Sequence, residues 1–436
     1  MSNNAHAVFT EEMKSTHTIL VPNMLPMHFK IILATLNQDG YKTELLETSG
    51  SHIAETGLKY VHNDTCYPAI LVIGQFMDAL LSGKYDLNKV ALLLTQTGGG
   101  CRASNYIPLL RKALEKAGLS HIPVISLNFA GTESSPGFKL SLPLIIKMMY
   151  GVFYGDLLML LRNRVKPYEE EKGACDRLCE EWTARLALQL SSGKIKYKKI
   201  KATYAEIVKS FAEIKVSGCR LVRVGIVGEI FVKFSPLGNN DLEAFLMSQN
   251  AEVVVPGLMD FLLYCIYNGI IDARLYGLRK FKAFGSKILY RFLIKKQKDV
   301  IAAVRDNSLF EPMGCFDHTK DLVDGVIHHG TKMGEGWLLT AEMIELIEQG
   351  VGNIVCTQPF GCLPNHIVGK GMMKPIKEKY KEVNIVAIDY DPGATKINQE
   401  NRIKLMLANA KGLGQMEKAH QRETAPSVAP KLVHAH

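Results

Sequence analysis

The chain reads as an α/β protein, with two Rossmann-like parallel-sheet domains and a helical insertion between them. Three observations predict it. Short apolar runs alternate with helical patterns near the start and again in the second half. Several of these runs are apolar at every position, the pattern of parallel strands buried on both faces. Residues 136–215 lose the alternation and read as mostly helical. The 436 residues are ample for a sizeable core and allow about two to three domains.

The first domain is expected over 17–135, behind a flexible segment 1–16. It opens with a strand at 18–21, then Pro22-Asn23 and a helical pattern over 24–36. Strands follow at 43–46, 89–94 and 122–127, with helices over 69–81 and 103–117. The second domain is expected over 216–417. Its strands are predicted at 221–227, 252–255, 353–356 and 384–388. Its helices are predicted at 241–247, 338–348, 367–379 and 394–408, with a long helical region over 257–304. The tail from 418 is rich in Ala, Pro and His, a composition expected to be disordered.

Composition is that of a soluble globular protein, with 47% apolar and 22% charged residues. Residues 1–17 contain no apolar core of signal-peptide length, so a cytoplasmic location is expected. The most apolar stretch, 142–161, is interrupted by Lys147 and Asp156 and reads as a buried helix, not a membrane span. The net charge of +9 is concentrated at 194–201 and 279–298, the second interleaved with Phe281, Phe284, Tyr290 and Phe292. Solvated basic faces of amphipathic helices account for such stretches better than nucleic-acid binding does, and docking of an acidic protein lies between the two.

Nine cysteines without a secretory signal do not read as a disulfide framework, and their odd number prevents complete pairing within the chain. Functional groups of open parallel sheets collect beyond the carboxyl ends of strands. Four cysteines are predicted at such places. Cys101 follows the third strand through Thr95-Gln96-Thr97-Gly98-Gly99-Gly100 and precedes a helix. Cys356 ends the 353–356 strand, and Cys362 lies six residues on, before Pro364. Cys66 precedes Tyr67-Pro68 and a helix. Unpaired N–H groups at a helix start lower a thiol pKa and hydrogen-bond to anionic sulfur, which favours metal-bound thiolate there. Cys315, in Glu311-Pro312-Met313-Gly314-Cys315, reads equally as ligand or packing residue. Cys219 and Cys265, in apolar surroundings, read as packing cysteines. Cys175 and Cys179, four residues apart in a charged helix, read as surface or packing residues. None of the spacings matches a compact ferredoxin run or a zinc ribbon. Walker-type, dinucleotide-binding, G-x-S-x-G and H-E-x-x-H motifs are missing from the sequence, so no nucleotide is expected to bind this chain.

Three motifs carry a resemblance. Asn63-Asp64-Thr65-Cys66-Tyr67-Pro68, Thr95 to Arg102 around Cys101, and Cys356-Thr357-Gln358-Pro359-Phe360-Gly361-Cys362-Leu363-Pro364-Asn365-His366 resemble the activase-related branch of the 2-hydroxyacyl-CoA dehydratase superfamily, which includes the double-cubane cluster proteins. Met333-Gly334-Glu335-Gly336-Trp337 and Ile388-Asp389-Tyr390-Asp391-Pro392-Gly393 fit the same pattern, and the resemblance spans roughly 17–412. It implies an iron–sulfur cluster, either 4Fe-4S or a double-cubane 8Fe-9S, held between two α/β domains by Cys66, Cys101, Cys315, Cys356 and Cys362. A double cubane would take about six thiolates, three per cubane. The resemblance also implies a separate ATP-hydrolysing iron–sulfur activator that supplies low-potential electrons. A homodimer is expected. The function expected is reduction of a small substrate at the cluster. The alternatives are a radical 2-hydroxyacyl-CoA dehydratase subunit and a cluster-carrying electron-transfer subunit without its own substrate. Asn63, Asp64, Gln358, Glu335 and His366 are the polar residues nearest the expected ligands, with His366 a proton donor to substrate, a helix-capping residue or a hydrogen-bond partner of a cluster sulfide.

Overall fold

The structure is a computed structural model that describes residues 6–96, 100–127 and 135–424, with side chains to residue 410. Thr97, Gly98 and Gly99 of the glycine turn, and the tail from 425, lie outside the described residues. Among the described residues, eight strands form two four-stranded parallel sheets, as the apolar runs predict. In the first sheet β1 (Thr18–Pro22), β2 (Lys42–Leu46), β3 (Val90–Thr95) and β4 (Val124–Leu127) stand in the order β2-β1-β3-β4. In the second, β5 (Val222–Gly228), β6 (Ala251–Val254), β7 (Asn353–Pro359) and β8 (Asn384–Tyr390) repeat it as β6-β5-β7-β8. Each order reverses between its two central strands, which opens a crevice beyond their carboxyl ends.

The two sheets share a core. Leu20, Leu92 and Ile107 of the first half cluster with Val224, Ile226, Val355 and Tyr390 of the second. The expected insertion forms three helices, Leu142–Val165, Ala174–Ser191 and Tyr197–Ala212. They close a second apolar cluster with the Leu258–Tyr276 and Lys280–Asn307 helices. The Leu142–Val165 helix with its following turn is long and apolar enough to cross a membrane, but two thirds of its most apolar window is buried inside the fold. Asp156 within it is buried, accepts N–H bonds from Leu258 and Met259, and pairs with His28 at 2.9 Å.

Local departures from the sequence reading have physical causes. The 257–304 region is two helices, because Gly277 and Arg279 adopt positive φ between them. The expected 367–379 helix is interrupted at Gly369, whose backbone leaves the helical region. Segment 1–16, expected to be flexible, contains Phe9 at 1% exposure, packed in a cluster with Ile19 and Tyr41. The last helix continues to Thr424, beyond the expected start of the tail at 418.

Candidate metal centre

The carboxyl ends of the two sheets meet, and three of the five expected cysteines lie where they meet. Cys66 caps the Tyr67–Leu81 helix, Cys101 caps the turn Arg102–Asn105, and Cys362 caps the Leu363–Val368 helix. Ser, Thr, Asp or Asn ordinarily fills such positions. Here cysteine takes the position, and the Cys101 sulfur accepts from the Ala103 N–H at 3.5 Å; the Ala69 N–H goes instead to the Cys66 carbonyl. Tyr106, buried under the site, places its hydroxyl 3.2 Å from Cys66 Sγ.

The two halves touch closely here. The Tyr67 N–H donates to the Phe360 carbonyl at 3.0 Å. Gly361 has φ +74°, and a Cβ there would lie 3.1 Å from the Cys66 Cα. Gly334, at φ +60°, fits between Pro364 and Cys101, 3.9 Å from the Cys101 sulfur by the same construction. Its carbonyl accepts from the Tyr264 hydroxyl at 3.0 Å, which fixes the Met333–Trp337 segment against the cleft.

Two carboxylates join the cysteines. Glu229 follows β5 and caps the Ile230–Phe234 helix, accepting the Val232 N–H at 2.9 Å. Glu335, 7% exposed, accepts the Ile230 N–H at 3.0 Å. Burial, followed by the charge of Glu335, pushes the Glu229 carboxyl up to about 8. Glu335 is raised as well, chiefly by burial. The thiols respond in the same direction. Burial raises Cys66, and pushes Cys101 up to about 11 with help from both glutamates. Cys362 rises further, through burial and then Glu335 and Glu229. Helix-start N–H groups were expected to lower these thiols; burial outweighs them. The thiols are therefore neutral at physiological pH, and metal binding must displace their protons.

The other expected residues stand apart from this group. β7 runs on to Pro359 because it pairs with β8 as far as Tyr390, so Cys356 is interior to the strand and not at its end. Its sulfur, fully buried, faces Asn365 Oδ1 at 3.8 Å within a separate apolar cluster. Cys315 caps the Phe316–Thr319 turn, where Lys298, Asp317 and Asp260 are the charges acting on it. His366 is exposed, and its Nδ1 lies 2.8 Å from the Cys362 carbonyl of its own helix. Asn63 and Asp64 are exposed, the Asp64 carbonyl accepting from Arg102.

Sequence reasoning missed Glu229, and Cys265, expected as a packing cysteine, is exposed. Cys265 is open to solvent although protein surrounds it on most sides, as on the wall of a recess. Those surroundings, with Glu335 nearby, push its thiol up to about 12. A glutamate directly after the Gly228 that ends β5 was the available sign for Glu229. Among the described residues, no three His, Cys, Asp or Glu side chains are gathered tightly enough to grip a single metal ion. Gln358, at the carboxyl end of β7, is fully buried, and neither its amide nitrogen nor its oxygen meets a partner among the described residues. Buried polar atoms are ordinarily satisfied; strand alternation puts the Gln358 side chain on the same face of β7 as Cys356. No family model matches the chain, and no curated protein matches it.

Proposed function

We propose that Cys66, Cys101 and Cys362 hold an iron–sulfur cluster in the cleft between the two sheets, and that the chain takes low-potential electrons from a separate ATP-hydrolysing activator to reduce a small substrate. The observation that carries this reading is the convergence of three helix-capping cysteines, drawn from both sheets, on one buried recess. Three thiolates suit a cubane with one iron left free of cysteine. The cluster, when bound, would supply one-electron chemistry at low potential. The chain's own groups do the rest. The Ala103 N–H donates to the Cys101 sulfur, and the Tyr106 hydroxyl lies 3.2 Å from the Cys66 sulfur, placed to donate to a thiolate there. The shared core excludes water from behind the site.

The basic stretch bears on the alternatives. The Lys280–Asn307 helix exposes Phe281, Phe284 and Ile288 among its lysines. An open groove beside it is lined by Lys287, Arg291, Lys295 and Lys298, and none of its lining residues is a cysteine. Phosphates of a CoA ester would find their charge there, away from the three converging thiols, which favours the small-substrate reading. The exposed basic and aromatic face suits an acidic activator, whose approach would be salt-sensitive.

Anaerobic reconstitution with iron and sulfide tests the reading. The protein should turn brown and hold at least about four irons per chain. Cys101→Ser and Cys362→Ser should lose most of that iron, while Cys356→Ala and Cys315→Ser retain it. Iron-free protein, or equal iron in all four variants, overturns the assignment.

A further inference from the structure

A carboxyl group buried among apolar side chains is costly unless paired. The second domain nevertheless buries Glu335, Glu342, Glu345 and Asp260, each below 8% exposure, in or beside the Trp337–Glu348 helix. Leucine or methionine would fill these positions more cheaply, so stability does not account for them.

The carboxyls form a row with a direction. Glu342, Glu345 and Glu348 recur every third residue and share one helix face. Glu348 lies at the surface, 2.8 Å from His318 Nε2. One turn inward, Glu345 accepts the Thr319 hydroxyl at 2.6 Å and fills the space beside Gly314. One turn further, Glu342 lies 2.9 Å from Lys233 Nζ, both side chains 3% exposed. Lys233 stands on the short helix that Glu229 caps, and its charge acts on both Glu229 and Glu335 beside the cysteines.

We infer that Glu348, Glu345, Glu342 and Lys233 form a proton relay from the surface to the cysteine cleft, matching each electron that enters the site with a proton. The inference rests on the cluster reading above. The electron comes from the low-potential donor and the proton from water at His318 and Glu348. Glu345 passes its proton to Glu342. Lys233 gives a proton into the cleft and recovers one from Glu342.

The electrostatics suit this role. Burial pushes Glu345 up to about 7, opposed by Thr319 and His318 and assisted by Glu342 and Glu348. Burial raises Glu342 as well, with Lys233 opposing. Asp260, on the facing Leu258–Tyr276 helix, is raised by burial and by Glu345, Asp156 and Glu342, and accepts from Gln297 at 2.7 Å. A carboxyl balanced near neutrality can both accept and release a proton, as a relay member must.

The test separates electron arrival from proton arrival. Reconstituted full-length protein is mixed with dithionite in weak buffer containing a pH-indicator dye. Bleaching of the cluster reports the electron, and the dye reports proton uptake. In the wild type the two should run together. In Glu345→Gln and Glu342→Gln bleaching should be unchanged, while proton uptake slows at least about tenfold. Added formate or imidazole should restore uptake in Glu345→Gln, which a merely structural defect would not allow. Variants that take up protons in step with bleaching overturn the relay and leave the cluster reading standing. Wild-type protein that binds no iron overturns the cluster reading, and the relay with it.

Discussion

Glu345→Gln should make the protein more stable above neutral pH, an unusual result for a buried charge-bearing position. In the fold, burial raises the Glu345 carboxyl from 4.5 to about 7. Below pH 4.5 the group is protonated in both folded and unfolded chains, and the substitution is close to neutral. Between pH 4.5 and about 7 the folded chain holds the proton while the unfolded chain releases it, so wild-type stability falls as pH rises. Above that window the loss is complete. At about 1.4 kcal/mol per pH unit it amounts to about 3 kcal/mol. Glutamine keeps an oxygen for the Thr319 hydroxyl and never ionises. Spread over a chain of this length, about 3 kcal/mol raises the melting temperature by roughly 3 °C. Paired melts of wild type and variant at pH 5 and pH 8 measure it. The variant should gain at pH 8 and little at pH 5. Equal melting temperatures at pH 8, or a variant less stable there, would refute the burial argument.

Two further predictions concern the cysteine cleft. Gly361→Ala places a methyl 3.1 Å from the Cys66 Cα at φ +74°. It should cost about 1–2 kcal/mol of backbone strain and much of the iron. Gly83→Ala, at φ +76° with open space around it, should cost the strain alone, so equal iron in both variants would sink the close-approach argument. Tyr106→Phe removes the hydroxyl 3.2 Å from Cys66 Sγ. Iron content should hold while the reduction potential falls, because a bond that stabilises added negative charge is lost. An unchanged potential in a redox titration followed by EPR would count against Cys66 as a ligand.

Much of the fold was legible because strands buried on both faces must be apolar throughout. Val90–Thr95 is buried at every position but its last, so no other element suits it. Cys66, Cys101 and Cys362 were legible for a local reason: each precedes a helix start, two of them followed by proline. Cys356 was misplaced because the length of β7 is set by its partner β8, and pairing with a distant strand leaves no local trace. His366 lies four residues after Cys362 but is exposed, its ring turned back to the Cys362 carbonyl at 2.8 Å. Glu342 and Glu345 look like the polar face of an amphipathic helix. Only the packing of the Trp337–Glu348 helix between β5 and the Leu363–Val368 and Phe316–Thr319 helices shows that this face is buried too.

The cleft carboxylates bear on why such a site would need a driven electron. Glu229 and Glu335, when ionised, set negative charge beside Cys101 and Cys362; with Glu229 pushed up to about 8 by burial, that charge develops mainly above neutral pH. An anionic cluster there would gain a further electron only against that charge, which lowers its potential. The Ala103 N–H and the Tyr106 hydroxyl oppose this, but each reaches one sulfur, whereas the glutamates act on both Cys101 and Cys362. A proton delivered through Lys233 to the same carboxylates would remove the opposing charge as the electron arrives. Charge beside the site then serves two ends. On the proposed reading it would keep the oxidised site from drawing electrons from ordinary donors, and it would couple reduction by a strong donor to the arrival of the proton that a substrate needs.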